Sequence, residues 1–171
     1  YKIDRVLAQA DDFAKSKVNT MLNSSEYGQI VAACKTLAGD NTDYASRIEY
    51  IVKYCMTAFI VGYIGMLDAI LEKNPDAEII MIALMNAYAQ KNGVEEGTLG
   101  ELVQVIYTPV NAFLKNLPKE LLDSKTEEKQ AEYADAKFYW ADAGYVSCMV
   151  DVFGDDYYMD STGAYVPYPG P

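Results

Sequence analysis

The side chains whose types and spacing invite a chemical reading lie near the end of the chain, in DDYYMDSTGAYVPYPGP. Asp155, Asp156 and Asp160 put three carboxylates within six positions, the kind of cluster that can hold a hard cation such as calcium. Their order does not satisfy the EF-hand loop, which needs D-x-[DN]-x-[DN]-G and a glutamate at the twelfth place. From Phe138 onward there is no Lys or Arg, but there are five Asp and six Tyr. Tyr and Pro bury area at little side-chain entropy cost, and the carboxylates steer toward a basic surface. Asp155, Asp156, Tyr157, Tyr158, Asp160, Tyr165 and Tyr168 are therefore the candidate partner-docking residues, and no metal is expected.

Elsewhere the chain offers little to a reaction. It contains no histidine, which removes the usual general base of Ser and Cys hydrolases and the commonest zinc ligand. Cys34, Cys55 and Cys148 are isolated, with no CxxC pair, and lie in apolar stretches where a free thiol behaves as a small hydrophobe. GVEEGTLGE has three glycines but neither a lysine nor GxGxxG order, so it reads as a loop and not a phosphate cradle. No catalytic residue and no cofactor is assigned, and the chain is expected not to be an enzyme.

Charge narrows the partner. The net charge is −11 and the sequence pI about 4.3, so phosphate backbones and anionic headgroups repel the chain. The expected partner is a larger protein complex with a basic docking surface, not nucleic acid. The most apolar stretch, YIVKYCMTAFIVGYIGML at 50–67, bears on membranes. Lys53 interrupts it, and its unbroken part, Cys55 to Leu67, is 13 residues, short of the roughly 20 that a bilayer needs. It reads as a core helix, apolar all round, in the middle of a bundle, with no membrane span. Gly62 and Gly65 suggest close helix packing there. The alternative is an apolar groove for a ligand or pigment, lined by Phe59, Gly62, Gly65 and Met66.

These features must sit on helices, for which six segments show start and stop signals. The first runs over about 3–22, interrupted by NSSEYG; the second, about 26–37, is closed by Gly39. The long third starts near Asn41 or Thr42 and reaches about 72. Asn74 and Pro75 read as N-cap and first position of a fourth, carrying IIMIALMNAYA. Thr98 with Glu101, and Ser124 with Glu127, have capping-box spacing for a fifth helix and a sixth running from about 126 to 153. Pro109 should kink or split the fifth, and Pro118 should mark a turn. The expected fold is all-α: a bundle of four to six helices over 1–153, with an extended acidic, Tyr/Pro-rich extension at 154–171.

Two stretches resemble known families. DDFAKSKVNTMLNSSEYGQIVAACKTL, a long helix with SRIEYIVKY and a last helix with EEKQAEYADAKFYW resemble the PsbQ-like extrinsic subunits of photosystem II. That resemblance implies a four-helix bundle with a cleaved leader, docked on the lumenal face of a photosystem and not catalytic. EYIVKYCMTAFIVGYIGMLD is similar to the central helix of phycobiliproteins, in Glu49, Lys53, Tyr54, Ala58, Gly62 and Leu67. TDYAS just upstream holds no cysteine, which excludes a covalent bilin there. A start at Tyr1 without Met fits a processed chain in an organelle lumen such as the thylakoid, or one that is secreted or periplasmic. The leading expectation is a non-catalytic helical subunit that docks on and stabilises a larger assembly. The alternatives are a ligand or pigment carrier and a secreted interaction or effector protein.

Overall fold

The structure is a computed structural model and describes residues 2–39, 42–84, 99–141, 157–159 and 165–167. The described residues are mostly helical, in six helices. In chain order they are α1 (Lys2–Leu7), α2 (Asp12–Leu22), α3 (Ser25–Ala38), α4 (Thr42–Lys73), α5 (Leu99–Asp123) and α6 (Glu127–Glu132). Four short strands join them: β1 (Glu78–Ile82), β2 (Lys137–Ala141), β3 (Tyr157–Met159) and β4 (Tyr165–Pro167). The chain divides into two compact units, one of Tyr1–Ile79 with Asn116–Phe138, the other of Ile80–Lys115 with Tyr139–Pro171.

In the first unit α1, α2 and α3 all pack on α4. Met56, Ile60, Ile64, Leu67 and Leu71 recur at three- and four-residue steps along α4 and are buried, as one face of a helix should be. Ala14, Val18 and Met21 of α2, with Ile30 and Cys34 of α3, are the matching buried side chains. Thr57 is fully buried but satisfied, since its hydroxyl donates to the Lys53 carbonyl at 2.8 Å. Three ion pairs fasten the rest: Lys17 with Glu120, Lys35 with Glu49, and Lys125 with Asp68.

Local chemistry sets the helix ends. The expected first helix breaks at Ala8–Asp11, because Asp11 is a better N-cap than helix interior: its carboxylate accepts from the Ala14 N–H at 2.7 Å. Ser24 caps α3 in the same way, accepting from the Tyr27 N–H. Gly39 closes α3 at φ 62° and ψ −149°, a conformation that a side chain resists. The cap of α6 is Thr126, not Ser124, whose hydroxyl instead donates to the Leu121 carbonyl. Thr98 lies outside the described residues.

The all-α expectation needs correcting at two places. Asn74-Pro75-Asp76 does not start a helix. The Ala77 N–H donates to the Asn74 carbonyl at 3.1 Å, closing a turn with Pro75 at its second position, where its fixed φ serves equally well. EIIMI then extends as β1, and KFYWA, placed above inside a long last helix, is β2; α6 stops at Glu132. Branched and aromatic side chains suit a pleated surface better than a helix. The two strands run parallel. The Lys137 N–H bonds the Ala77 carbonyl in the first unit, and the Ala83 N–H bonds the Ala141 carbonyl in the second.

Pro118 marks no turn, and Pro109 does not split its helix: α5 is continuous from Leu99 to Asp123. Each interior proline removes a hydrogen bond, but Val110, Leu114, Leu117 and Leu121 bury a full apolar stripe that offsets the loss. In the second unit Asn111 on α5 binds the backbone of Leu84 twice. Its oxygen accepts from the Leu84 N–H at 2.7 Å and its amide donates to the Leu84 carbonyl at 3.0 Å.

Leu67→Ala is expected to cost about 2–5 kcal/mol, the range for emptying a closed core position. Gly28→Ala, with open space where the Cβ would go on α3, should stabilise by up to about 1 kcal/mol. Urea midpoints of the two variants against the parent check both signs.

Candidate functional site

Three surfaces qualify as candidate sites. The first is the outer face of α4. The sequence makes this helix apolar all round and so buried on all sides, yet only 33% of its most apolar 18-residue window is buried. Tyr44 (57% exposed), Ile51 (56%), Cys55, Gly62, Gly65, Met66 and Ala69 lie on the side away from the buried stripe. An added Cβ at Gly62 or Gly65 would meet nothing within 4 Å, so among the described residues no helix packs closely over either glycine. Phe59 is half-buried and rests against Tyr63, ring centroids 5.8 Å apart. Of the four groove candidates, Gly62, Gly65 and Met66 thus lie on open helix surface and Phe59 beside it. By length and composition α4 also has the character of a membrane span. Core helices of soluble proteins share those two properties, which therefore decide nothing between them.

The second surface belongs to the second unit. Ile80 and Ile82 alternate with buried Met81 and Ala83, so β1 turns its isoleucines outward, 67% and 62% exposed. Tyr139 on β2 is exposed as well. At the start of the strands, in the first unit, Lys137 pairs with Glu78 at 2.9 Å. These isoleucines are not among the sequence candidates, because an apolar residue on the solvent side hides the two-residue period. The β-favouring composition of EIIMI and KFYWA is the signal that could find them.

The third is the C-terminal segment. Within it β3 and β4 pair antiparallel, Tyr157 opposite Pro167, Tyr158 opposite Val166 and Met159 opposite Tyr165. Tyr157, Tyr158 and Tyr165 thus fall on one short hairpin. Asp155, Asp156, Asp160 and Tyr168 lie outside the described residues.

Among the described residues, both thiols lie in the first unit. Cys34 is buried and Cys55 exposed; Cys148 lies outside the described residues. Burial pushes the Cys34 thiol above its ordinary value near 9.0. The Tyr27 hydroxyl, buried without a hydrogen-bond partner among the described residues, is pushed above 10.0 by burial first, then by Glu49 and Cys34. Burial raises Tyr63 too. Among the described residues no three carboxylates or thiols converge in a way that could hold a metal ion.

No protein-family model, curated protein or solved structure matches the chain.

These groups set two expected outcomes. Cys55 should alkylate readily in the dilute native protein while Cys34 stays unmodified until denaturant is added, as peptide mass mapping will read. Cys34, Tyr27 and Tyr63 hold their protons more tightly folded than unfolded. Their contribution to stability is therefore complete below about pH 9 and is lost as pH climbs through the raised values. Melting temperature should fall above that pH, and Tyr27→Phe should shrink the fall without loss at neutral pH; an unchanged alkaline slope would remove Tyr27 from the explanation.

Proposed function

We propose that this chain is a non-catalytic helical-bundle subunit that docks, partly through its acidic C-terminal extension, on a basic surface of a larger protein assembly and stabilises it. The observation that carries this reading is the outward turn of Ile80, Ile82 and Tyr139, the strand residues that fall in the second unit. Exposed apolar and aromatic side chains of this kind supply the centre of an interface once water leaves it. The net charge of −11 supports the choice of partner, since it favours a basic protein surface over nucleic acid or anionic lipid. A processed, lumenal subunit of a photosystem is the concrete version, resting on the PsbQ-like resemblance of residues 11–37 and the helices after them.

Sedimentation of the native protein from its own source tests the reading. At low salt it should travel with a large assembly, and a high-salt wash should release it, because screening weakens a charge-steered contact. Removing Asp155–Pro171, or introducing Ile80→Asp, should each weaken rebinding by at least about 1 kcal/mol while helical circular dichroism is kept. A free 19.0 kDa species at both salt concentrations would end the docking reading.

A further inference from the structure

The outer face of α4 carries a pattern that the docking reading does not use. Tyr44, Ile48, Ile51, Cys55, Ala58, Gly62, Gly65 and Ala69 follow one another in unbroken alternating steps of four and three residues. All eight are exposed or half-buried, on the side of the helix opposite Ile60, Ile64 and Leu67. Steps averaging 3.5 residues are the seam of a supercoiled helix pair. The seam extends for about 38 Å at the ordinary rise per residue. Between Lys53 and Asp68 the helix has no charged residue at all.

Bulk is distributed unevenly along the seam. Tyr44, Ile48 and Ile51 fill its first half, while Gly62, Gly65 and Ala69 leave its second half low, with Cys55 and Ala58 between. A two-fold axis midway turns this asymmetry into a fit. Tyr44 then meets Ala69 of a second copy, Ile48 meets its Gly65, Ile51 meets its Gly62, and Cys55 meets its Ala58. Every layer pairs a larger side chain with a smaller one, as close packing requires. In a parallel pair, isoleucine would meet isoleucine and glycine would meet glycine, giving crowding at one end and a gap at the other.

A surface that is complementary to itself under a two-fold rotation is the mark of an isologous dimer, which makes the occupant a second copy and not an unrelated helix.

We propose that two copies of this chain pair antiparallel along the outer face of α4, with Cys55 against Ala58 at the centre. The inference uses residues of the first unit alone, so it stands or falls separately from docking through the hairpin and the strand pair. Sedimentation equilibrium of the full chain at high micromolar concentration should give twice the 19.0 kDa chain mass. Gly62→Phe, which closes the layer against Ile51, and Ile51→Asp should each weaken association by roughly a hundredfold while circular dichroism stays unchanged. On mild oxidation, Ala58→Cys should link Cys55 of one copy to the introduced thiol of the other, and the parent should yield no Cys55–Cys55 link. A single-chain mass throughout, a Cys55–Cys55 link in the parent, or a dimer indifferent to both variants would overturn the proposal. So would flotation of single chains with phosphatidylcholine vesicles, since α4 would then be covered by lipid.

Discussion

Met56, Ile60, Ile64, Leu67 and Leu71 lie along one side of α4, and removing that stripe from water is the constraint on which the first unit depends. Each such side chain contributes about 1.5–3 kcal/mol when fully buried, more than the roughly 1 kcal/mol of a typical cap or surface ion pair. Three shorter helices pack on α4. α1 and α6 are each six residues long, below the length at which a helix persists alone, and the broken start of α2 is tolerable because packing, not propensity, fixes its position. The Lys125–Asp68 pair, with both side chains about one-fifth exposed, adds direction more than energy by setting where the chain lies after α5.

A helix that needs only one of its sides for the fold leaves the other free to be selected for something else. On α4 that other side is also apolar, which gains nothing from water and is retained in soluble proteins chiefly where another surface covers it. The same holds for Ile80 and Ile82 on β1, where a half-buried strand would ordinarily turn polar residues outward. The two surfaces differ in kind. The strand face is small, with an aromatic side chain on it, as suits a hot spot in docking, whereas the α4 seam is long and graded in bulk, as suits pairing with its own copy.

The elements legible in the sequence are those with strong period or strong punctuation. α4 stands out from its apolar run and acidic ends, α3 from Ser24 and Gly39, and the break before α3 from NSSEYG. Three misreadings have physical causes. Asn-Pro-Asp serves a helix start and a turn equally well, so only the residues after it decide, and EIIMI imitates a helix because its outward positions are isoleucines. KFYWA merges into a helical pattern through the alanines around it. Pro109 and Pro118 are local signals for an interruption of α5, but local rules lose to a buried stripe of four aliphatic side chains. Of the groove candidates, Gly62, Gly65 and Met66 lie on open helix surface with Phe59 beside it, so the glycines mark an open surface and not a tight crossing among the described residues. The strand face is hidden by its own outward isoleucines.

The central claim is that α4 has one side sealed by its neighbours and one side open. Met56 and Met66 make the most direct test, since they lie on the same helix with 6% and 48% exposure. Dilute native protein treated with mild peroxide should convert Met66 to its sulfoxide at the rate of a free thioether, while Met56 reacts only as fast as the chain unfolds. Equal rates for the two would mean that α4 is buried or exposed on both sides, and the account would be wrong at its foundation.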